Sequence, residues 1–298
     1  MGGLSVEREV SLSSGKACAN ALREIGHEVI EIDVDKDIAA KLKSIEPDVV
    51  FNALHGRFGE DGTIQGLLEI LEIPYTHSGV LSSALAMDKH QSKIMFKANG
   101  IPVADHIIAN RAEIATKHIM TPPYVIKPVC EGSSVGIFLV KEEQDHPVQE
   151  ILSADWRGGE ELMVERFVPG RELTCAVMGN VALGVIEITT DLHFYNYAAK
   201  YEKQGSEHII PAQLSQKVYE KVQQLSLKAH KALGCKGVTR ADFRFNDYAN
   251  NDGDLICLEI NTQPGMTQTS LVPEIAAHAG HDFVETVAWI LEDASCNR

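Results

Sequence analysis

The sequence predicts a protein of mixed class, α/β and α+β, that begins with a small doubly wound α/β domain. Three observations lead to this prediction. Helix-like and strand-like segments alternate through residues 1–78. After residue 79, strand-like runs follow one another across short polar loops, which is typical of antiparallel sheets. The 298 residues also exceed the ~250 at which one hydrophobic core stops growing. We therefore expect three domains, at residues 1–78, 79–165 and 166–298.

The first domain contains two helical and two strand-like patterns. "VSLSSGKACANALREIG" (10–26) has apolar residues at helical spacing and ends at a glycine, as helices often do. "HEVIEIDV" (27–34) alternates as a strand does, and "PDVVFNAL" (47–54) is a continuous apolar run, typical of a parallel strand covered on both faces. "TIQGLLEILEI" (63–73) predicts a second helix.

The opening residues Gly-Gly-Leu-Ser (2–5) have the character of the turn that follows a first strand, although no strand precedes them. We therefore expect the first strand of this domain to be missing. A start assigned too late is our hypothesis for its absence.

The rest of the chain predicts a helical pair followed by antiparallel strands. The pair is "SSALAMDKHQSKIMFKANG" (82–100), and the strands "YVIKPV" and "GIFLVK" flank the tight loop "CEGSSVG". Further on come "ELTCAVMG" and "VALGVIEI", a helix in "QKVYEKVQQLSLKAHKALG", the strands "VTRADFRFN" and "LICLEIN", and a last helix.

Composition excludes several classes of function. The formal net charge of −15 argues against general binding of nucleic acid, which needs a basic surface. Six scattered cysteines without a CxxC spacing indicate a reducing compartment. No apolar run reaches the ~18 residues of a membrane span, and the N-terminus lacks the features of a signal peptide. We expect a cytoplasmic protein that binds neither nucleic acid nor membranes.

Two strands carry polar residues in an otherwise apolar setting. Glu259 and Asn261 share one face of "LICLEIN", and Arg240 and Asp242 share one face of "VTRADFRF", because residues two apart in a strand point the same way. If these strands form a hairpin, the four side chains cluster. Mg²⁺ prefers oxygen ligands, which Asp242, Glu259 and Asn261 supply. A solvated edge or a structural salt bridge with Arg240 is the alternative.

Three further stretches are weaker candidates for a site. The loop "EGSSVG" (131–136) could bring backbone N–H groups to a phosphate, although a plain hairpin turn explains it equally well; there is no Walker A or GxGxxG motif. His55 follows the buried strand 47–54, where α/β domains place ligands, but a lone histidine is often structural. The tyrosine-rich segment 194–210 is either a lid or a tethered surface loop.

Glu7 and Glu9 lie near the start of the first helix. The simplest reading of these two carboxylates is favourable charge at a helix N-terminus.

Taken together, seven motifs resemble the D-alanine:D-alanine ligases of the ATP-grasp superfamily, nearly end to end. They are "SVEREVSLSSG" (5–15), "LHGRFGEDGTIQGLLE" (54–69), "SALAMDKHQSK" (83–93), "VIKPVCEGSSVG" (125–136), "FYNYAAKY" (194–201), "GVTRADF" (237–243) and "LEINTQPGMTQTSLVP" (258–273).

The resemblance implies an ATP-grasp fold and a ligase that serves peptidoglycan synthesis. ATP would phosphorylate the carboxylate of one D-alanine, and the amine of a second D-alanine would attack the acyl phosphate. The implied cofactors are ATP and two Mg²⁺ (or Mn²⁺) ions, and the implied assembly is a homodimer.

The resemblance also assigns residues. Nucleotide contacts fall to Lys89 and Lys127 on the α and β phosphates, Lys200 and Ser134 on the γ phosphate, Glu165, Arg166, Phe167 and Val168 at the adenine hinge, and Glu172 on the ribose. The implied metal ligands are Asp242, Glu259 and Asn261. Substrate binding and catalysis fall to Glu7 with His55 at the first D-alanine, Ser133 and Tyr201 linked to Glu7, Arg240 and Gly265 at the oxyanion, and Ser270 with Leu271 at the second carboxylate.

Two rival functions share part of this pattern. Another ATP-grasp ligase would keep the nucleotide and metal residues but is not expected to keep Glu7, Ser133 and Tyr201 together. A catalytically dead nucleotide-binding module would be indicated by loss of Arg240 or of the metal ligands, and these residues are present. In relatives that use D-lactate a histidine replaces the loop tyrosine, so Tyr201 favours an amine acceptor.

Overall fold

The structure is a computed structural model that describes residues 1–132, 136–144, 148–189, 207–248, 253–267 and 269–298. Four of the predicted site residues lie outside these ranges. They are Ser133, Ser134, Lys200 and Tyr201.

The N-terminal part contains three helices, α1 (Arg8–Glu24), α2 (Ile38–Ile45) and α3 (Thr63–Ile70). Helix α1 ends as its sequence predicts, because Gly26 has a φ of +94° and the N–H of His27 reaches back to the carbonyl of Leu22.

The two strands expected in this part are the main correction. Within the described residues, neither 27–34 nor 47–54 forms a regular strand, and the pairing is limited to isolated bridges, such as the parallel one between Val50 and Tyr75. A strand forms a ladder only with a neighbouring strand, and within the described residues neither segment has a regular one. Between these two segments lies a cavity rather than a strand.

The helical pair and a four-stranded sheet follow. Helices α4 (Val80–Met87) and α5 (Lys89–Ala98) lead into β1 (His106–Asn110) and the short α6 (Arg111–Ile114). Strands β2 (Tyr124–Pro128), β3 (Phe138–Val140) and β4 (Glu161–Arg166) complete the sheet in the antiparallel order β1-β4-β2-β3. The hairpin predicted around "CEGSSVG" is confirmed by the β2–β3 pairing.

A five-stranded antiparallel sheet forms the C-terminal part, in the order β7-β6-β5-β8-β9. Its strands are β5 (Arg171–Met178), β6 (Val181–Thr189), β7 (Glu207–Ile209), β8 (Val238–Asn246) and β9 (Asp254–Asn261). Helix α7 (Gln216–Ala232) packs on this sheet, and α8 (Leu271–His278) and α9 (Phe283–Glu292) close the chain. The predicted hairpin of β8 and β9 is confirmed.

The two ends of the chain share one hydrophobic core. Cys18 and Leu22 of α1 belong to the same buried cluster as Val272 of α8 and Ile290 of α9. Helix α1 is therefore fixed against the C-terminal helices. Division of the chain at residues 78 and 165 stays a prediction.

No helix within the described ranges is long and apolar enough to cross a membrane.

Candidate active site

A cavity of about 110 Å³ lies where the N-terminal part, the helical pair and β9 meet. Most of the predicted site residues that the structure describes line it. They are Glu7, His55, Lys89, Arg240, Glu259, Asn261, Gly265, Ser270 and Leu271. Because these residues span positions 7 to 271, only the folded chain brings them together.

Glu7 is 6% exposed and is positioned by backbone contacts at the start of α1. Its N–H donates to Ser5 Oγ (3.1 Å), and Ser5 Oγ donates to the carbonyl of His55 (2.7 Å). A β-carbon on Gly132 would lie 3.2 Å from Glu7 Oε2, so the loop after β2 closes over this carboxylate. Glu7 therefore presents a buried negative charge to the cavity.

His55 is buried and neutral. Burial is the main reason that its pKa is lowered to about 4. Its Nδ1 lies 3.1 Å from the carbonyl of Gln263, which can only accept, so Nδ1 carries the proton and Nε2 accepts from Ser14 Oγ (3.1 Å). The same Ser14 oxygen accepts from the N–H of Met266 (3.2 Å). His55 thus contacts the chain on both sides of Gly265, at Gln263 directly and at Met266 through Ser14.

Gly265, Ser270 and Leu271 also line the cavity. A β-carbon on Gly265 would lie 3.0 Å from Ser270 Oγ, so a larger residue would crowd this turn. Ser270 immediately precedes α8, and its Oγ accepts from the N–H of Thr267 (3.0 Å). Leu271 is the first residue of α8, and the first N–H groups of a helix have no intrahelical acceptor, which favours a bound anion.

The polar residues predicted to cluster on β8 and β9 do face one another. Asp242 pairs with Glu259 and Arg240 with Asn261 across the two strands. The register shifts directly after Asp242, which leaves Leu258 as the extra residue of a bulge. The bulge marks the point where β9 changes from apolar core to site.

Within this cluster Arg240 binds Asp242 through two hydrogen bonds (2.9 and 2.7 Å), and Thr174 Oγ1 donates to Asp242 (2.6 Å). Both interpretations of Asp242 thus stay open, since it has the oxygen chemistry of a metal ligand and also forms a salt bridge. Within the described residues, no group of three or more His, Cys, Asp and Glu side chains converges in a way that would hold a metal alone.

Lys89 lies at the cavity wall and contacts both the loop after β2 and strand β9. Its ammonium donates to the carbonyl of Glu131 (2.6 Å) and lies 3.3 Å from Glu259 Oε2. Asp88 caps α5 by accepting from the N–H groups of His90 and Gln91 (2.9 Å each), so Lys89 occupies the first turn of a fixed helix.

Sequence reasoning missed two carboxylates in the cavity, Glu60 and Glu131. Burial and, after it, the charge of Glu7 raise the pKa of Glu60 to about 8, and the same two causes raise the pKa of Glu131. Both residues lie inside the motifs given above, but nothing in the local pattern separates them from solvated acids. Three carboxyl groups therefore line this part of the cavity, and Glu60, with a pKa of about 8, is mostly protonated at neutral pH.

Lys127 belongs to a second, buried cluster on the four-stranded sheet. Its ammonium lies 2.6 Å from Glu165 Oε2, and Lys93 pairs with the other oxygen of the same carboxylate. Burial by itself would raise the pKa of Glu165, but Lys127 and Lys93 overcome it and lower the pKa to about 2. The cluster thus places one carboxylate against two lysines, and burial lowers the pKa of one of them, Lys93.

Lys93 was also missed, although it lies four residues after Lys89 on α5 and therefore on the same side of that helix. Its side chain is fully buried. Glu165 is predicted at the adenine hinge, and its carboxylate lies between Lys93 and Lys127, one oxygen towards each.

Arg166 is the last residue of β4, and the other two hinge residues, Phe167 and Val168, follow it. The N–H of Arg166 donates to the carbonyl of Asp105 (2.9 Å), and that of Phe167 to the carbonyl of Pro123 (3.2 Å). Arg244 ties this segment to β8, because it donates to the carbonyl of Val168 (3.1 Å) and to Glu172 Oε2 (3.3 Å). The predicted hinge and ribose residues are therefore neighbours.

Comparison with known proteins decides the family. The family model of the D-ala D-ala ligase C-terminus matches residues 95–292, and that of the D-ala D-ala ligase N-terminus matches residues 37–78. The chain belongs to the D-alanine–D-alanine ligase family. A D-alanine–D-alanine ligase of Rhizobium meliloti (strain 1021) is 62% identical over 299 residues, which cover 100% of this chain and 97% of the relative. One of Xanthobacter autotrophicus is 59% identical with the same coverage.

Solved structures of the family share the fold. A D-alanine–D-alanine ligase of Bacillus anthracis complexed with ATP superposes with a TM-score of 0.83 at 30% sequence identity, covering 98% of this chain and 94% of that one. A second structure of a Bacillus anthracis ligase gives 0.82 at 32% identity. The expected ATP-grasp architecture is confirmed by this likeness.

Proposed function

We propose that this chain uses ATP to join two D-alanine molecules into D-alanyl-D-alanine, releasing ADP and phosphate, for peptidoglycan precursor synthesis. The observation that carries the proposal is one cavity that is lined both by the carboxylate of Glu7 and by groups suited to an anion. These groups are Arg240, Gly265 and the start of α8. An amino acid carries an ammonium group and a carboxylate, so this cavity offers a partner of opposite charge to each of them.

The first D-alanine is held by its ammonium group. Glu7 is a buried carboxylate whose backbone is fixed by hydrogen bonds, and the mostly protonated carboxyl of Glu60 beside it offers a further polar contact. Charge-assisted hydrogen bonds between ammonium and carboxylate are among the stronger polar contacts in proteins. The carboxylate of this substrate then points towards Arg240 and the nucleotide.

The second D-alanine is held by its carboxylate. Ser270 Oγ and the N–H of Leu271 stand at the N-terminus of the eight-residue helix α8, where the helix dipole favours an anion. This arrangement leaves the amine of the second substrate free to face the first.

The nucleotide occupies the space between the two sheets. Lys89 and Lys127 are the cations for the α and β phosphates, and Glu165, Arg166, Phe167 and Val168 form the adenine hinge with Glu172 at the ribose. In support, Lys127 is already held at a fixed position by Glu165, so binding phosphate costs little further ordering. Ser134 and Lys200 complete the γ-phosphate contacts in the proposal.

Asp242, Glu259 and Asn261 would hold the two Mg²⁺ (or Mn²⁺) ions. Their oxygen donors face one another across β8 and β9, which fits a hard cation that also takes phosphate and water ligands. When bound, the ions would neutralise the charge that develops on the transferred phosphoryl group.

The reaction proceeds through an acyl phosphate in this proposal. The amine of the second D-alanine attacks the carbonyl carbon of the acyl phosphate, a C–N bond forms, the C–O bond to phosphate breaks, and the amine loses a proton. Arg240 and the N–H of Gly265 stabilise the oxyanion of the tetrahedral intermediate. Ser133 and Tyr201 orient Glu7 and the substrates.

The assembly and the compartment are part of the same proposal. We propose a homodimer of three-domain subunits, divided at about residues 78 and 165, in the cytoplasm. All six cysteines are free, which supports a reducing compartment.

The test is ATP-dependent phosphate release by the purified chain with Mg²⁺, given D-alanine, L-alanine, or D-alanine with D-lactate. Release with D-alanine alone and a dipeptide product by mass are expected. ATP hydrolysis that no amino acid stimulates, or a product built from another carboxylate, would overturn the proposal.

A further inference from the structure

Glu60 lines the substrate cavity but has no step of its own in the proposed reaction. It lies in the loop between segment 47–54 and helix α3, and hydrogen bonds hold the backbone of that loop in place. The N–H of Glu60 donates to the carbonyl of Gly56 (3.0 Å), and the carbonyl of Gly59 accepts from Asn52 Nδ2 (3.0 Å). The carboxyl group of Glu60 is therefore carried by a fixed turn.

The carboxyl groups of Glu60 and Glu7 approach the same glycine. Glu60 Oε1 accepts from the N–H of Gly56 (2.5 Å), and a β-carbon on Gly56 would lie only 2.5 Å from Glu7 Oε2. Gly56 has no side chain to place between them. Because both carboxyl groups line one cavity and contact one residue, a small cation in that cavity can contact both.

The protonation of Glu60 depends on the charges around it. Burial and, after it, the negative charge of Glu7 raise the pKa of Glu60 to about 8, against the opposing charges of Arg240 and Lys89. His55, which lines the same cavity, is neutral. At pH 7 a carboxyl group with this pKa is about nine-tenths protonated. Glu60 is thus a neutral neighbour of the Glu7 carboxylate.

An ammonium group bound at Glu7 reverses this balance. A positive charge close to a carboxyl group favours the ionised form of that group. It also offsets the negative charge of Glu7, which is the second cause of the raised pKa of Glu60. Both effects favour loss of the proton from Glu60. Once ionised, Glu60 is a second anionic acceptor for the ammonium group, which has three N–H donors to share.

We propose that Glu60 is a second ammonium-binding residue, which releases its proton to solvent when the ammonium group of the first D-alanine binds between it and Glu7. This inference rests on the proposed function, because it takes D-alanine as the occupant of the cavity. In the exchange the O–H bond of Glu60 breaks, the proton passes to water and then to the buffer, and the ammonium group keeps all three of its protons. The positive charge of the ammonium group replaces the positive charge of the proton.

Calorimetric titration of the purified chain with D-alanine tests the exchange. Mg²⁺ and a non-hydrolysable ATP analogue are present, so that no reaction follows binding. Titrations in buffers with different enthalpies of ionisation give the number of protons released for each D-alanine bound. We expect about 0.5 proton or more at pH 7. At pH 9, where Glu60 is already ionised before D-alanine binds, we expect about 0.1 proton or less.

Glu60→Gln removes the proton but keeps the shape of the protonated carboxyl group. Its amide oxygen can still accept from the N–H of Gly56, so the variant is expected to fold and to bind the ATP analogue. Proton release at pH 7 should fall to about 0.1 or less, and Kd for D-alanine at pH 8 should rise about tenfold. Glu9→Gln, at an exposed position of α1, is the control and should match the unchanged chain.

The pH dependence of D-alanine binding gives a second measurement. Because the proton and the ammonium group compete for Glu60, Kd of the unchanged chain should fall about fivefold or more from pH 6.5 to pH 8. Kd of the Glu60→Gln variant should change by less than about twofold over the same range. A role of Glu60 confined to holding the loop would not produce this difference.

Three results would contradict the proposal. Proton release that persists in Glu60→Gln, or that is lost in Glu131→Gln instead, would overturn it, since Glu131 also lines the cavity and has a raised pKa. D-alanine binding without proton release would overturn it and leave the proposed function standing. No binding of D-alanine beside normal binding of the ATP analogue would overturn both.

Discussion

Glu7 holds its carboxylate against the backbone of Gly56, so closely that a β-carbon on Gly56 would lie 2.5 Å from Glu7 Oε2. Gly56 also has a φ of +68°, in the left-handed region that favours glycine. The place of Glu7 in the cavity therefore depends on the absence of one side chain in the loop that follows residues 47–54.

Gly56→Ala is expected to lower kcat/KM for D-alanine by at least about tenfold, because the new methyl group displaces Glu7. Steady-state kinetics with varied D-alanine measures it. Gly26→Ala is the matched control, since Gly26 has a φ of +94° but nothing within 4 Å of the position of a β-carbon. That variant is expected to lose about 1 kcal/mol of unfolding free energy and to keep its activity. Equal losses of activity in both would show that strain alone is responsible.

Glu7→Gln tests the ammonium contact directly. Replacing a charged acceptor by a neutral one should remove about 1.5–3 kcal/mol of binding, so KM for the first D-alanine should rise about tenfold or more while ATP binding is kept. Glu9→Gln on the exposed side of the same helix should change neither. An unchanged KM in the Glu7 variant would remove Glu7 from substrate binding.

Ser270→Ala should weaken the second D-alanine. Loss of one hydroxyl donor to a carboxylate costs about 1.5 kcal/mol or more, so KM for the acceptor should rise about tenfold. Ser215 is the matched control, because it also precedes a helix, α7, and accepts from the N–H of Val218 (3.4 Å) but does not line the cavity. Ser215→Ala should lower the free energy of unfolding and leave KM unchanged. If Ser270→Ala also lowers only stability, the carboxylate lies elsewhere.

Buried histidines should make the protein acid-sensitive. His55 has a pKa near 4, below its ordinary 6.5, so the unfolded chain binds its proton more readily and stability falls as the pH drops from about 6.5 to 4. The shift corresponds to about 3 kcal/mol. His77 and His230 act in the same direction, with pKa values lowered to about 3 and about 4, mainly by burial.

Urea unfolding at pH 7 and pH 4.5 measures this effect. His55→Gln should lose less unfolding free energy between the two pH values than the unchanged chain, whereas exposed His27→Gln should lose as much. Equal losses in all three proteins would mean that His55 is charged or accessible in the folded state.

Lys93→Met tests the buried cluster around Glu165. Lys127 still balances the carboxylate, so the loss of unfolding free energy should stay below the ~3 kcal/mol typical of an uncompensated buried charge. Of the two lysines Lys127 alone then balances Glu165, so less of its charge is available to phosphate and KM for ATP should rise. Lys97→Met, at the exposed end of the same helix, should leave KM for ATP unchanged. Unchanged ATP binding in both variants would limit Lys93 to a role in packing.

Local patterns placed Arg240 and Asp242 on one face of β8, and Glu259 and Asn261 on one face of β9, because residues two apart in a strand point the same way. That the four side chains lie together depended in addition on the pairing of the two strands, which the structure confirms. Glu60 and Lys93 could not be found in this way, since their importance comes from burial by distant elements, and an acid in a loop or a lysine on a helix is ordinarily solvated.

At 27–34 and 47–54 the sequence predicted where side chains lie but not how the backbone pairs. Alternation correctly describes which side chains face each apolar layer, yet a ladder also needs a neighbouring backbone that the segment's own residues do not encode. The positions of side chains were predictable there, and the hydrogen bonds were not.

The packing of α1 against α8 and α9 also constrains when the enzyme can become active. Glu7 immediately precedes α1, whose Cys18 and Leu22 pack in the same core as Val272 of α8 and Ile290 of α9. Contacts between such distant positions require long-range loop closure. The helix that follows Glu7 is therefore fully packed only once both of these distant parts of the chain have come together, which makes the placement of Glu7 a late event in folding.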